Sequence, residues 1–235
     1  LGPLGPDNRH VDGVSYHAYA AWPDRSMRAE TRRLVAGARR YLKPGAKIVM
    51  TEVGSRGVED WPRHPAPLRA QMANNLRMHL ITLGEGVDTT FFFHLRAGDY
   101  GLFYNLTDQF PPFDATHLSP KPVGAAFAAA TRLLEGTRTL GPLDFLGDDI
   151  LCYTFQRGDQ ILAALWAADA AGSCEEPPRP VRVPVGAESV TFFDPMGNAR
   201  QIKCENGYAT IQVGAEPVYL LGLAPVVAPE STVSL

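Results

Sequence analysis

A glutamate closes the run KIVMTEVG at Lys47–Gly54. A carboxylate at the C-terminal end of a parallel strand stands where α/β folds keep nucleophiles and general bases. Alternation along the strand predicts that Ile48, Met50 and Glu52 share one face, apolar until its last position, with Val49, Thr51 and Val53 on the other. The same alternation in VDGVSYHAY, Val11 to Tyr19, puts Ser15, His17 and Tyr19 on one face. A phenol and an imidazole beside an ionised carboxylate would hold it charged and aimed. Blander readings stand next to these. Glu52 would be a strand-end residue paired with Arg56, His17 a satisfied core histidine, and Tyr19 an aromatic at a rim.

The elements that must place these groups follow from the pattern. After AWPDRS, Ser26 is placed to cap a helix with Leu34, Val35, Ala38, Tyr41 and Leu42 on its apolar face, ended by Pro44 and Gly45. Past KIVMTEVG, a loop with Trp61 leads to a helix with Leu68, Met72, Leu76, Leu80 and Leu83 on one stripe. A strand is expected over Asp88–Leu95 and a long loop over Arg96–Leu118, with Asp99, Tyr100, Asn105 and Asp108 along it. Ser119 and Pro120 then open a helix that stops at Gly136. From about Arg138 short strands and turns replace the β/α alternation, which predicts an antiparallel β-sandwich. The domains expected are 1–137, 138–225 and a tail 226–235. Trp166, inside an apolar strand, reads as core.

Composition narrows the chemistry. The 235 residues are 45% hydrophobic and 20% charged, with a net charge of -3, so there is no electrostatic footprint for nucleic acid or an anionic membrane. No apolar run is long enough to span a bilayer. Cys152, Cys174 and Cys204 show no metal spacing, and the six histidines form no HExxH. Neither a metal nor a cofactor is expected. No G-x-S-x-G elbow supports a serine hydrolase.

Taken in order, SYHAY, KIVMTEVG and FFFHL resemble the ends of the sixth, seventh and eighth strands of the clan A glycoside hydrolases. SPKPVGAAFAAATRLLEG resembles their last barrel helix, and GDQILAALW, VTFFDPMGN and PVYLLG resemble the sandwich that many of them carry. The resemblance implies the C-terminal part of a (β/α)8 barrel followed by a β-sandwich. It also implies a retaining glycosidase with Glu52 as nucleophile, assisted by Tyr19 and His17, acting on an oligo- or polysaccharide. Trp22, Trp61, His94 and Asp99 fall where substrate contacts are expected, although Trp22 and Trp61 read equally well as loop anchors. His94 departs from the sugar-stacking Trp that members often have. The acid/base Glu of the clan's fourth strand would precede Leu1, so the N-terminal half of the barrel is expected in another segment or a partner chain. A sugar-binding module without catalysis is the competing expectation.

Overall fold

The computed structural model describes residues 10–19, 23–57, 66–95, 100–103, 120–168 and 177–225. Trp22, Trp61, Asp99, Asn105, Asp108, Ser119 and Cys174 lie outside them. The fold is mixed α/β. Strands β1 (Gly13–His17), β2 (Lys47–Val53) and β3 (Thr89–Phe92) form a parallel sheet in the order β1-β2-β3. Helix α1 (Arg28–Tyr41) joins the first two strands and α2 (Ala66–Gly84) the second two, while α3 (Pro122–Leu134) follows β3. Among the described residues these are three strands and three helices, not a closed barrel. No described helix is long and apolar enough to cross a membrane.

Helix boundaries differ from expectation at two starts. Ser26 does not open α1: one turn of π-helix, Pro23–Met27, runs straight into it, and Met27 already has helical dihedrals with no side-chain cap bond. Pro120 does not open α3 either; it forms a bridge with Phe103, and Lys121, in extended conformation, precedes Pro122 at the first helical position. Proline suits that position because the first N–H groups of a helix have no intrahelical partner. Gly136 ends the helix at φ 68°, a conformation glycine reaches without strain. Strand β3 is shorter than the Asp88–Leu95 expected.

The antiparallel part consists of β4 (Arg138–Pro142), β5 (Ile150–Arg157), β6 (Gln160–Ala167), β7 (Arg179–Pro184), β8 (Ser189–Phe193), β9 (Ala199–Lys203), β10 (Tyr208–Val213) and β11 (Val218–Leu221). Six strands form a sheet ordered β4-β5-β6-β11-β8-β9, and β10 pairs with β7. The central strands of the larger sheet are buried on both faces. Leu151, Tyr153, Phe155, Leu162, Ala164, Trp166 and Tyr219 join the core shared with the helices, while their neighbours Cys152, Ile161, Ala163, Leu165 and Leu220 join a second core with Val183, Ala209, Ile211 and Val213 of the small sheet. This explains why ILAALWA is apolar throughout instead of alternating.

Candidate active site

The C-terminal ends of β1 and β2 carry the site. β1 and β2 run in register from Gly13↔Lys47 to Tyr16↔Met50, and then His17 pairs with Glu52, so one extra residue is accommodated in β2. The β2–β3 pairing shows the same shift between Met50 and Val53. This bulge corrects the alternation inferred from the sequence. Ile48, Met50 and Val53 are fully buried in the core that holds Met72, Leu76 and Leu80 of α2. The apolar residues of the strand therefore face the helices. Glu52, paired with His17, emerges on the opposite, open face, as bulges beside functional sites often arrange.

There the three residues named first come together. The Tyr19 hydroxyl donates to Oε2 of Glu52 at 2.9 Å, and His17 Nδ1 lies 3.4 Å from the same oxygen. Both partners converge on Oε2, and among the described residues no hydrogen bond engages Oε1. Glu52 is partly covered, with 35% of its side chain exposed. The ring of Tyr19 stands edge-on to Phe93 and Tyr100, at 6.0 and 6.3 Å between centroids. Loss of water around the hydroxyl, then the hydrogen bond and negative charge of Glu52, push the Tyr19 pKa up. It remains a donor throughout the neutral range.

The surrounding backbone is held from α2. Asn75 Oδ1 accepts from Ser55 N at 3.0 Å and Nδ2 donates to Ser55 O at 3.3 Å, so one amide side chain holds both main-chain groups of the loop just past Glu52. Gln71 adds a second bond to Ser55 O. Gly54 allows this loop to lie against the next strand. A Cβ there would stand 2.7 Å from the Phe93 carbonyl oxygen and 3.2 Å from Cδ1 of Tyr100. Arg56 donates to the Tyr100 hydroxyl at 3.1 Å and lies over its ring.

His94 is exposed with its ring against Phe93, the ring that also meets Tyr19. Tyr100, named from the sequence on the long loop as a residue that contacts substrate or is simply solvated, lies beside Tyr19. Phe93 and Asn75 are site neighbours that sequence reasoning did not single out; the signal for Asn75 was an amide in a helix otherwise read as an apolar stripe. The described residues hold no group of His, Cys, Asp and Glu able to bind a metal ion. A groove of about 1120 Å³ lies at the other end of the parallel strands, where Arg32 pairs with Glu85 and Arg39 with Asp88.

No protein-family model matches the sequence, and no curated protein does. Solved structures share the fold. A family 39 glycoside hydrolase from Bacteroides cellulosilyticus WH2 superposes with a TM-score of 0.64 at 18% identity, over 90% of this chain and 44% of that one. A GH30 endoxylanase from Clostridium papyrosolvens C71 gives 0.59 at 11% identity, over 91% and 49%. A conserved exported protein from Bacteroides fragilis gives 0.56 at 10% identity, over 88% and 45%. The chain thus spans less than half the length of each of these. At such identities the likeness is one of fold.

Proposed function

We propose that this chain is the C-terminal part of a retaining glycoside hydrolase, with residues 1–137 as part of a (β/α)8 barrel, 138–225 as a β-sandwich and 226–235 as a tail. The observation that carries the reading is the carboxylate of Glu52 at a parallel-strand end, held through one oxygen by the Tyr19 hydroxyl and His17 while the other takes no hydrogen bond from the described residues. The fold shared with glycoside hydrolases is in keeping with it.

In a retaining mechanism the open oxygen of Glu52 attacks the anomeric carbon as the glycosidic C–O bond breaks, and an acid protonates the departing oxygen. Water then cleaves the glycosyl ester and restores the carboxylate. Tyr19 would orient the attacking group and release its hydrogen bond as negative charge leaves Glu52. The acid/base must lie about 5 to 5.5 Å away, on the N-terminal half of the barrel that completes the site. The substrate is an oligo- or polysaccharide, for which Trp22, Trp61, His94 and Asp99 are the candidate contacts. An exported neighbour favours an extracellular or periplasmic location.

The test is Glu52→Gln in the complete protein. Turnover of aryl glycosides should fall by at least about a thousandfold with folding and sugar binding kept, and a 2-fluoro glycoside should label the peptide containing Glu52. Undiminished turnover rejects the assignment, and sugar binding by a wild-type protein that hydrolyses nothing favours a binding module.

A further inference from the structure

Tyr19 lies past the end of β1, outside its strand ladder, and is 46% exposed. Four positions on, Pro23 opens the π turn Pro23–Met27, with Pro23, Asp24 and Met27 buried. Four peptide units reach at most about 14 Å, so wherever that turn is anchored, Tyr19 is constrained to its neighbourhood.

The anchor is an ion pair in the interior. Arg77 of α2 is fully buried and donates through Nη1 to Asp24 Oδ2 at 2.9 Å. Its Nε donates to the carbonyl oxygen of Ala215 at 2.9 Å and its Nη2 to that of Ala167 at 3.3 Å. The other Asp24 oxygen accepts from the indole N–H of buried Trp166 at 2.8 Å. One node therefore joins the turn after Tyr19, the central helix, strand β6 and the β10–β11 connection.

Adhesion alone does not require such a node. Tyr153, Trp166 and Tyr219 of the large sheet already share an apolar core with Met72 and Leu76 of the helix, and a buried ion pair generally adds little stability over apolar residues of equal volume. What it adds is direction. Among the described residues, every acceptor of Arg77 other than Asp24 is a main-chain carbonyl of the antiparallel part, so the guanidinium that meets the Asp24 carboxylate is itself fixed in direction.

We propose that Asp24, held by Arg77 and Trp166, is a positioning residue: it ties the turn behind Tyr19 to the antiparallel sheets and so sets the Tyr19–Glu52 hydrogen bond. The geometric claim is independent of the chemistry assigned to Glu52, and only its effect on turnover rests on the proposed function. The antiparallel sheets thereby take part in forming the site.

The experiment uses the protein labelled with 3-fluorotyrosine, with the Tyr19 ¹⁹F resonance assigned by Tyr19→Phe. Glu52→Gln gives the reference for a Tyr19 that has lost its carboxylate partner. Asp24→Asn keeps the size of the side chain and an acceptor for the indole but removes the charge. It should move the Tyr19 resonance and its ionisation toward the Glu52→Gln reference. A folded Asp24→Asn protein whose Tyr19 signal and titration match wild type overturns the proposal. If Asp24→Asn does not fold, Trp166→Phe, which deletes only the indole donor, is read in the same way. In the active complete protein, Asp24→Asn should lower kcat about tenfold or more with little change in KM, and should do far less in a Tyr19→Phe background. Equal losses in both backgrounds would mark a general structural role and overturn the proposal. Loss of the turnover effect with the ¹⁹F shift intact would count against the function assigned to Glu52, not against the positioning.

Discussion

Oε2 of Glu52 takes the Tyr19 hydroxyl and faces His17, so the carboxylate has a held side and an open side, and its orientation depends on the loop that follows. Gly54 is where that loop lies against the main chain beyond β3. Gly54→Ala should lower stability by about 1–3 kcal/mol, measured by thermal unfolding, because the added carbon meets a backbone oxygen and not a flexible side chain. That Glu52, His17 and Tyr19 are neighbours was legible through the resemblance of SYHAY and KIVMTEVG to adjacent strand ends of clan A glycoside hydrolases. The direction of Glu52 was not. A strict alternation puts it with Ile48 and Met50, and the bulge that turns it to the open face comes from pairing with β1 and β3, which no local pattern announces. Trp22, Trp61 and Asp99 remain candidates from the sequence alone.

Helix α2 illustrates what periodicity misses at the level of an element. Leu68, Met72, Leu76 and Leu80 read as the buried stripe of an amphipathic helix, and they are buried; so are Gln71, Asn74, Asn75, Arg77, His79 and Thr82 on its other sides. Strands β4 and β5 of the antiparallel part and, on another side, β3 and α3 cover it, which the periodicity of the stripe alone does not announce. His79 lies on the side of β3 and α3. It bonds Thr90 through Nδ1 at 2.7 Å and stacks against Phe92 and Phe127, and burial brings its pKa down to about 3. An unfolded histidine gains its proton below about pH 6.5, so the unfolded state binds more protons between those limits. This contribution to stability is complete above about pH 6.5 and is lost as pH falls toward 3, on the order of 3 kcal/mol by about pH 4. Denaturant midpoints at neutral pH and near pH 4 should differ by that amount more in the wild-type protein than in His79→Leu.

For the molecule as a whole, the change from β/α alternation to short strands near Arg138 was visible in the sequence, and the break in composition there is sharp. Strands β4 and β9 were not foreseen, since Arg138–Pro142 and Ala199–Lys203 are short, half-exposed edges without an apolar rhythm. The Asp24–Arg77 pair was also invisible, because its members are 53 residues apart and act across layers. Arg77→Ala should cost about 3–5 kcal/mol by leaving a buried carboxylate without its counterion, and Asp24→Leu combined with Arg77→Met should recover most of that loss. Urea unfolding of the single and double variants measures both. The large antiparallel sheet has a further implication. Strands β5, β6 and β11 lie between two cores, so they lack a watery side on which residues can drift freely. Their sequence is answerable to two sets of neighbours at once, and swapping this module for one from a distant protein would strip the helices of the wall they were shaped against.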